Sequence, residues 1–182
     1  MNKHLLFVAL SILVACGEPQ PENLEDIAQL EFNTLLDQYN TDRKILYPFQ
    51  AMGEGDNSNN GELPIDIGRP FRKKQRLFYQ STLEQLSQIK ISQLDKTEQL
   101  SYDILKWECN MHLSELNYPT HLTPINQFNS LHLTMGILAS GEGEQPFNTV
   151  DDYKNWGRRC YLFSDWCDTA ISNMRIGMSQ GY

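Results

Sequence analysis

An all-α fold is predicted by three features of the sequence. Apolar residues recur three and four apart along several segments, two of these segments open on capping boxes, and no run of alternating β-branched residues competes. We read about five helices. The first runs from Asn23 to about Arg43, with Leu24, Ile27, Leu30, Leu35 and Tyr39 as its apolar stripe. A long polar loop follows through Gly53-Glu54-Gly55-Asp56-Asn57-Ser58-Asn59-Asn60-Gly61. Pro70 then stands at the first position of a second helix, where its missing N–H costs nothing, and Phe71, Phe78, Leu83, Leu86 and Ile89 continue as its stripe. Asp95 with Glu98 opens a third helix, which has Leu100, Ile104, Trp107 and Met111 on one face and is stopped by Pro119. A short helix is expected from near Asn126, with Phe128, Leu131, Met135 and Leu138 inward, broken by Ser140-Gly141-Glu142-Gly143. Thr149 with Asp152 opens the last. Its stripe is Tyr153, Trp156, Cys160, Phe163, Cys167, Ala170 and Met174, widened by Tyr161, Leu162 and Trp166, so this helix is expected to be mostly buried and to end at Gly177. There are no internal repeats.

The start of the chain belongs to export and not to the fold. Met1-Asn2-Lys3-His4 is followed by an apolar run from Leu5 to Ala15 and then Cys16. Spanning a bilayer takes roughly 20 apolar residues, so this shorter run reads as a signal-peptide core. Leu13-Val14-Ala15-Cys16-Gly17 is a lipobox, with Cys16 the thiol that receives diacylglycerol. Residues 1–15 are therefore expected to be removed and residues 16–22 to form a lipidated tether, which Pro19 and Pro21 keep extended. Gly17 in place of Asp after the cysteine sets the expectation of an outer-membrane address facing the periplasm. Two or three acyl chains give stable anchoring where one would not. The helical domain then covers residues 23–182 and is expected to be the N-terminal portion of a larger helical domain, truncated at its C-terminal end.

Removing residues 1–15 takes away Lys3 and no acid, which moves the formal charge from −8 to −9. Such an acidic exported domain disfavours nucleic acid as a partner. The one basic cluster, Arg72-Lys73-Lys74-Gln75-Arg76, lies in a helical pattern and reads as a solvated face. Three cysteines remain in the mature chain, Cys109, Cys160 and Cys167. Cys160 and Cys167 lie seven apart on one helix, hence about 10 Å apart along its axis, too far for a disulfide, which needs Cα atoms within roughly 7 Å. Buried free cysteines serving as small hydrophobes are the plain reading.

No His-Glu-x-x-His, nucleophile elbow, Walker A loop or Cys-x-x-Cys occurs. Glu108, His112 and Glu115 share one helix face, which could hold a divalent metal but more simply forms a solvated face with a weak ion pair. Asp56-x-Ser58-x-Asn60-Gly61 copies the first half of an EF-hand loop. Its twelfth position is Ile67 where a bidentate Glu is needed, so an ordinary polar loop is the plainer reading. The segment Tyr118-Pro119-Thr120-His121-Leu122-Thr123-Pro124-Ile125-Asn126-Gln127 is dense in hydrogen-bonding groups. It reads either as a functional loop or as Asn126 capping the next helix with Pro124 fixing the approach.

Pro124-Ile125-Asn126-Gln127, then Val150-Asp151-Asp152-Tyr153, then Asp168-Thr169-Ala170-Ile171-Ser172-Asn173-Met174-Arg175-Ile176-Gly177 follow one another in an order that resembles the bacterial family called domain of unknown function 885. Tyr47-Pro48 and Gly53-Glu54-Gly55 are similar to its opening region, so the resemblance covers about residues 22–182. It implies a large helical exported protein, often a lipoprotein, resembling zinc peptidases of the gluzincin type. In those, a His-Glu-x-x-Pro-Gly-His helix far downstream supplies two zinc-binding histidines and the glutamate that activates water. This sequence stops before such a helix, so zinc is expected for the full-length protein and no cofactor for this chain, which alone is expected to be inactive. Asn126, Gln127 and Arg175 match family-like positions and are kept as a possible functional loop without an assigned role. A peptide is the substrate class the resemblance implies. The alternative is a small, non-catalytic helical lipoprotein that binds or scaffolds.

Overall fold

In the computed structural model, which describes residues 24–128 and 130–182, the chain is all-α, with no strand among the described residues. Cys16 and its lipobox lie outside the described residues. Among the described residues six α-helices are formed: α1 (Leu24–Leu46), α2 (Pro48–Gly53), α3 (Arg69–Gln88), α4 (Lys96–Glu115), α5 (Leu131–Ala139) and α6 (Val150–Gln180). Short 3-10 turns at Ile91–Gln93 and Thr120–Leu122 join α3 to α4 and α4 to α5. No helix among the described residues is long and apolar enough to cross a membrane.

Helices α1, α3 and α4 pack into a three-helix unit. Its core is Phe32, Leu35 and Tyr39 of α1, Tyr79 and Leu86 of α3, and Tyr102, Leu105 and Cys109 of α4. The second core joins α5 and α6 to the segment after α2: Leu63, Met135, Trp166 and Ala170 are buried, with Phe49, Ile65 and Leu162 packed against them. The candidate site lies where the two units meet.

Both expected capping boxes form. Asp95 accepts from the Thr97 and Glu98 N–H groups while Glu98 reaches back to the Asp95 N–H. Thr149 and Asp152 do the same at α6. The helix faces are less well matched. Leu30 is 69% exposed, because Ala28 and Phe32 carry the buried side of α1. That helix also runs on to Leu46, and α2 fills part of the expected loop. Pro70 sits one residue inside α3 and not at its first position. Phe128 is 78% exposed and α5 starts only at Leu131, capped in position by Ser130 and not by Asn126. On α4 the chosen stripe is turned outward: Leu100, Ile104 and Trp107 are exposed, and Tyr102, Leu105 and Cys109 face the core.

Helix α6 is not mostly buried. Tyr153, Cys160 and Tyr161 are exposed, and the buried positions are Arg159, Trp166, Ala170 and Gly177. Cys160 is thus no core residue, although Cys109 is, and burial pushes the Cys109 thiol up to about 12. All three described cysteines are free, and Cys160 and Cys167 share one helix as expected.

Gly177 does not end α6, which runs to Gln180 and closes on Gly181 at φ 84°. Gly177 is instead where α6 meets the 120–122 turn. A Cβ there would stand 2.9 Å from the Leu122 carbonyl oxygen and 3.3 Å from its Cβ. Gly177→Ala is therefore expected to cost about 1–3 kcal/mol, even though alanine is the better helix former by about 1 kcal/mol. Urea unfolding checks this, and an unchanged or raised midpoint would contradict the close approach.

Candidate functional site

Four segments converge on a cavity of about 210 Å³. The loop before α3 brings Asp66 and Ile67, α3 brings Arg72, Gln75 and Tyr79, the end of α4 brings His112, Glu115 and Leu116, and the 3-10 turn adds Thr120 and His121. Positions 72, 75 and 79 lie three and four apart, so one face of α3 forms a wall. His112 and Glu115 do the same from α4.

A hydrogen-bonded layer fixes these side chains. The Tyr47 and Tyr79 hydroxyls are 2.7 Å apart, and Gln75 Nε2 donates to Tyr47 at 3.0 Å. The His112 ring stacks on Tyr79 with centroids 4.7 Å apart, and its Nδ1 lies 2.9 Å from Glu115 Oε2. Glu108 accepts the Tyr39 hydroxyl at 3.0 Å and lies 3.9 Å from His112 Nε2. The row Glu108, His112, Glu115 is therefore formed: Glu108 and His112 are half-buried and tied to α1 and α3, while Glu115 stays exposed and pairs with His112 on the solvated side.

Asp66 is exposed over the residue as a whole, while protein crowds its carboxyl from the α6 side, where Trp166 Nε1 donates to it at 2.8 Å. Loss of water raises its pKa against the lowering effect of that hydrogen bond. Burial lowers the pKa of His121, and the charge of Arg72 lowers it further. The Nδ1 atom of His121 is buried without a hydrogen-bond partner among the described residues. A cavity that combines a perturbed carboxyl, a neutral-leaning imidazole and a guanidinium is a reasoned candidate for binding chemistry.

The residues singled out in the sequence lie elsewhere. Asn126, Gln127 and Arg175 are exposed, and none lines the cavity. Asn126 Oδ1 accepts the Phe128 N–H at 2.8 Å, and its own N–H and carbonyl both bond the Ser130 hydroxyl, so it builds the turn before α5. Of the loop 118–127, Thr120 and His121 reach the cavity. In the loop that copies half an EF-hand, Lys44 holds Asp56 at 3.2 Å, and Asp56 accepts the Ser58 N–H at 3.0 Å. These bonds hold the Asp56 carboxyl down at about 2, led by the bonds to Ser58. Asn60 bonds instead to Asp152 and Asn155 of α6.

Asp66, Gln75 and Tyr79 were not singled out by sequence. Gln75 and Tyr79 could have been found as polar positions spaced four apart beside the stripe of α3, whereas Asp66 joins the site only through the path of its loop.

The model of a family described as bacterial proteins of unknown function, DUF885, matches residues 48–182. The chain belongs to that family. No curated protein and no solved structure matches it. The DUF885 match takes in every wall of the cavity and leaves α1, which supports it from behind through Tyr39, outside the matched residues. It is thus narrower than the resemblance read from residue 22 onward.

Proposed function

We propose that this DUF885 protein is exported, held on the outer membrane by diacylglycerol on Cys16, and works as the helical part of a zinc-dependent, peptidase-like protein. The observation that carries the anchor is the lipobox, Leu13-Val14-Ala15-Cys16, after an apolar run too short to span a bilayer. The peptidase reading rests on the resemblance and finds support in a cavity of mixed charge. There Arg72 offers N–H donors to a carboxylate and Asp66 with Glu115 offers acceptors to an ammonium, the two ends of a peptide.

The described residues do not fit a zinc site. The two ring nitrogens of His112 face Glu115 and Glu108, and no group of three or more His, Cys, Asp or Glu among the described residues could hold a metal. No step runs through zinc on these residues, and the ligands of the proposed enzyme belong to another part of it.

Mass spectrometry of the protein from bacterial membranes is expected to find diacylglyceryl-Cys16 as the mature N-terminus, and Cys16→Ala to leave unprocessed precursor. Any other mature N-terminus would sink the anchor. The peptidase reading is tested on protein purified from its natural host, where peptide hydrolysis should vanish with a zinc chelator and return with zinc. Hydrolysis indifferent to chelator, or none at all, would remove it.

A further inference from the structure

The basic cluster of this acidic chain is not a uniformly solvated face. Arg69, Arg72, Lys73 and Arg76 lie at i, i+3, i+4 and i+7 of α3, so they share one side of the helix. With Leu116 at the end of α4 they line an open cleft of about 410 Å³. Arg72 and Arg76 are half-buried and held in place. Arg72 donates to the Leu116 and Tyr118 carbonyls at 2.8 and 3.3 Å, and Arg76 to the Leu116 carbonyl and Asn117 Oδ1 at 3.4 and 3.3 Å. Arg69 and Lys73 are exposed beside them.

Four cations outside this face are neutralised by acids, whereas the face itself gathers four positive charges side by side. Arg43, Lys44, Lys154 and Arg158 each pair with a carboxylate at 2.7 to 3.2 Å. Among the described residues no carboxylate pairs with any of the four on α3. Asp66 and Glu115, which share the neighbouring cavity with Arg72, are turned to Trp166 and His112. The crowding is felt: besides burial, the charge of Arg76 lowers the pKa of Arg72. The start of α3 adds to the same field. Its cap is Gly68, with no side-chain acceptor and no acid in the first turn, so the positive end of the helix dipole is unopposed there.

Four like charges, two of them fixed by neutral carbonyls, cost repulsion that an anion would relieve. Guanidinium forks with spare N–H groups suit a tetrahedral oxyanion of more than one charge. We propose that this face of α3 and the end of α4 form a binding site for a phosphate group, carried by a phospholipid headgroup or by a soluble phosphate compound. The site adjoins the cavity of the proposed function, sharing Arg72 and Leu116 with it, and does not depend on that function.

The test is calorimetry on the full chain in detergent, with pyrophosphate as the soluble probe and monomeric dihexanoyl phosphatidic acid, a phosphomonoester, as the lipid probe. At least one probe is expected to bind with unit stoichiometry, and affinity should fall with added salt. Arg69→Ala/Lys73→Ala, which removes two exposed cations without touching the carbonyl contacts, should weaken binding at least tenfold, and Arg69→Gln alone by less. Lys90→Ala/Lys106→Ala removes the same charge from exposed positions elsewhere and should change affinity less than twofold. The preferred probe identifies the source of the phosphate. Failure of both probes to bind, or equal weakening in the two double variants, would overturn the site.

Discussion

Replacing Arg159 by alanine is expected to destabilise the chain by roughly 3–5 kcal/mol, because it empties the most buried charged position and strands its acceptors. The Arg159 side chain has no exposed surface. It is clamped between elements far apart in sequence: its Nε donates to the Glu62 carbonyl at 3.1 Å, one Nη to the Asn59 carbonyl at 3.4 Å, and the other to Gln145 Oε1 and Met52 Sδ. The guanidinium carbon also lies 4.5 Å from the centre of the Phe49 ring. None of these contacts is a carboxylate, since the Glu62 side chain pairs with Arg158 instead. Burial pushes the guanidinium down to about 10 against the opposing charge of Glu62, which still leaves it charged at neutral pH. Four hydrogen bonds from one guanidinium thus hold loop 54–68 and the segment before α6 closed over one helix. For a chain of this size the loss corresponds to a melting temperature lower by roughly 6–20 °C. Arg159→Met, which keeps the stem and the packing on Phe49, should cost less than alanine. Denaturant unfolding that placed the alanine variant within about 1 kcal/mol of the parent would show that the carbonyls find other donors.

The same residue explains where sequence reading stopped. The period of α6 was legible, and so were its capping box and its free cysteines, because those depend on local chemistry. Its buried face was legible in part. Apolar counting found Trp156, Phe163, Trp166, Cys167 and Ala170, which pack in the second core. It also chose the exposed Tyr153 and Cys160, whereas the chain turns Asn155, Arg159 and Asn173 inward to bond Asn60, the 59–62 backbone and the Ile67 carbonyl. A polar side chain facing a loop's backbone is invisible to a hydrophobic pattern until the course of the loop is known. On α4 two apolar stripes of similar strength compete, Leu100–Ile104–Trp107 and Tyr102–Leu105–Cys109. The choice fell to the second through aromatic contacts with α1, such as Phe32 on Tyr102, which periodicity cannot weigh. The candidate site was half legible. His112 and Glu115 stood out as a spaced row, and His121 as part of a polar loop, but Asp66 and Tyr79 needed the tertiary meeting of the two cores.

Trp166 joins that second core to the site, and Trp166→Ala is expected to cost about 3–5 kcal/mol through lost packing. The indole is 3% exposed and packs with Met135, Ala170 and Phe163, whose ring lies 6.0 Å away in a near-parallel stack. Trp166→Phe is the more informative change, since it keeps most of the apolar volume and removes the N–H that serves Asp66. In the parent, loss of water raises the Asp66 pKa above 3.8 and the Trp166 hydrogen bond opposes the rise. A carboxyl whose folded pKa is raised favours folding below its unfolded value and loses that contribution as pH climbs through its folded value. Without the indole N–H the folded pKa rises further, so the phenylalanine variant should lose more stability near pH 7 than near pH 4. The size expected for a hydrogen bond to a charged group is about 1.5–3 kcal/mol, present at neutral pH and shrinking in acid. Denaturant titrations of both chains across that range measure it. In an Asp66→Asn background the carboxyl is gone, and the gap between tryptophan and phenylalanine should no longer vary with pH. A gap that stayed constant with Asp66 intact would mean the indole acts by packing alone and leaves the Asp66 carboxyl to the cavity.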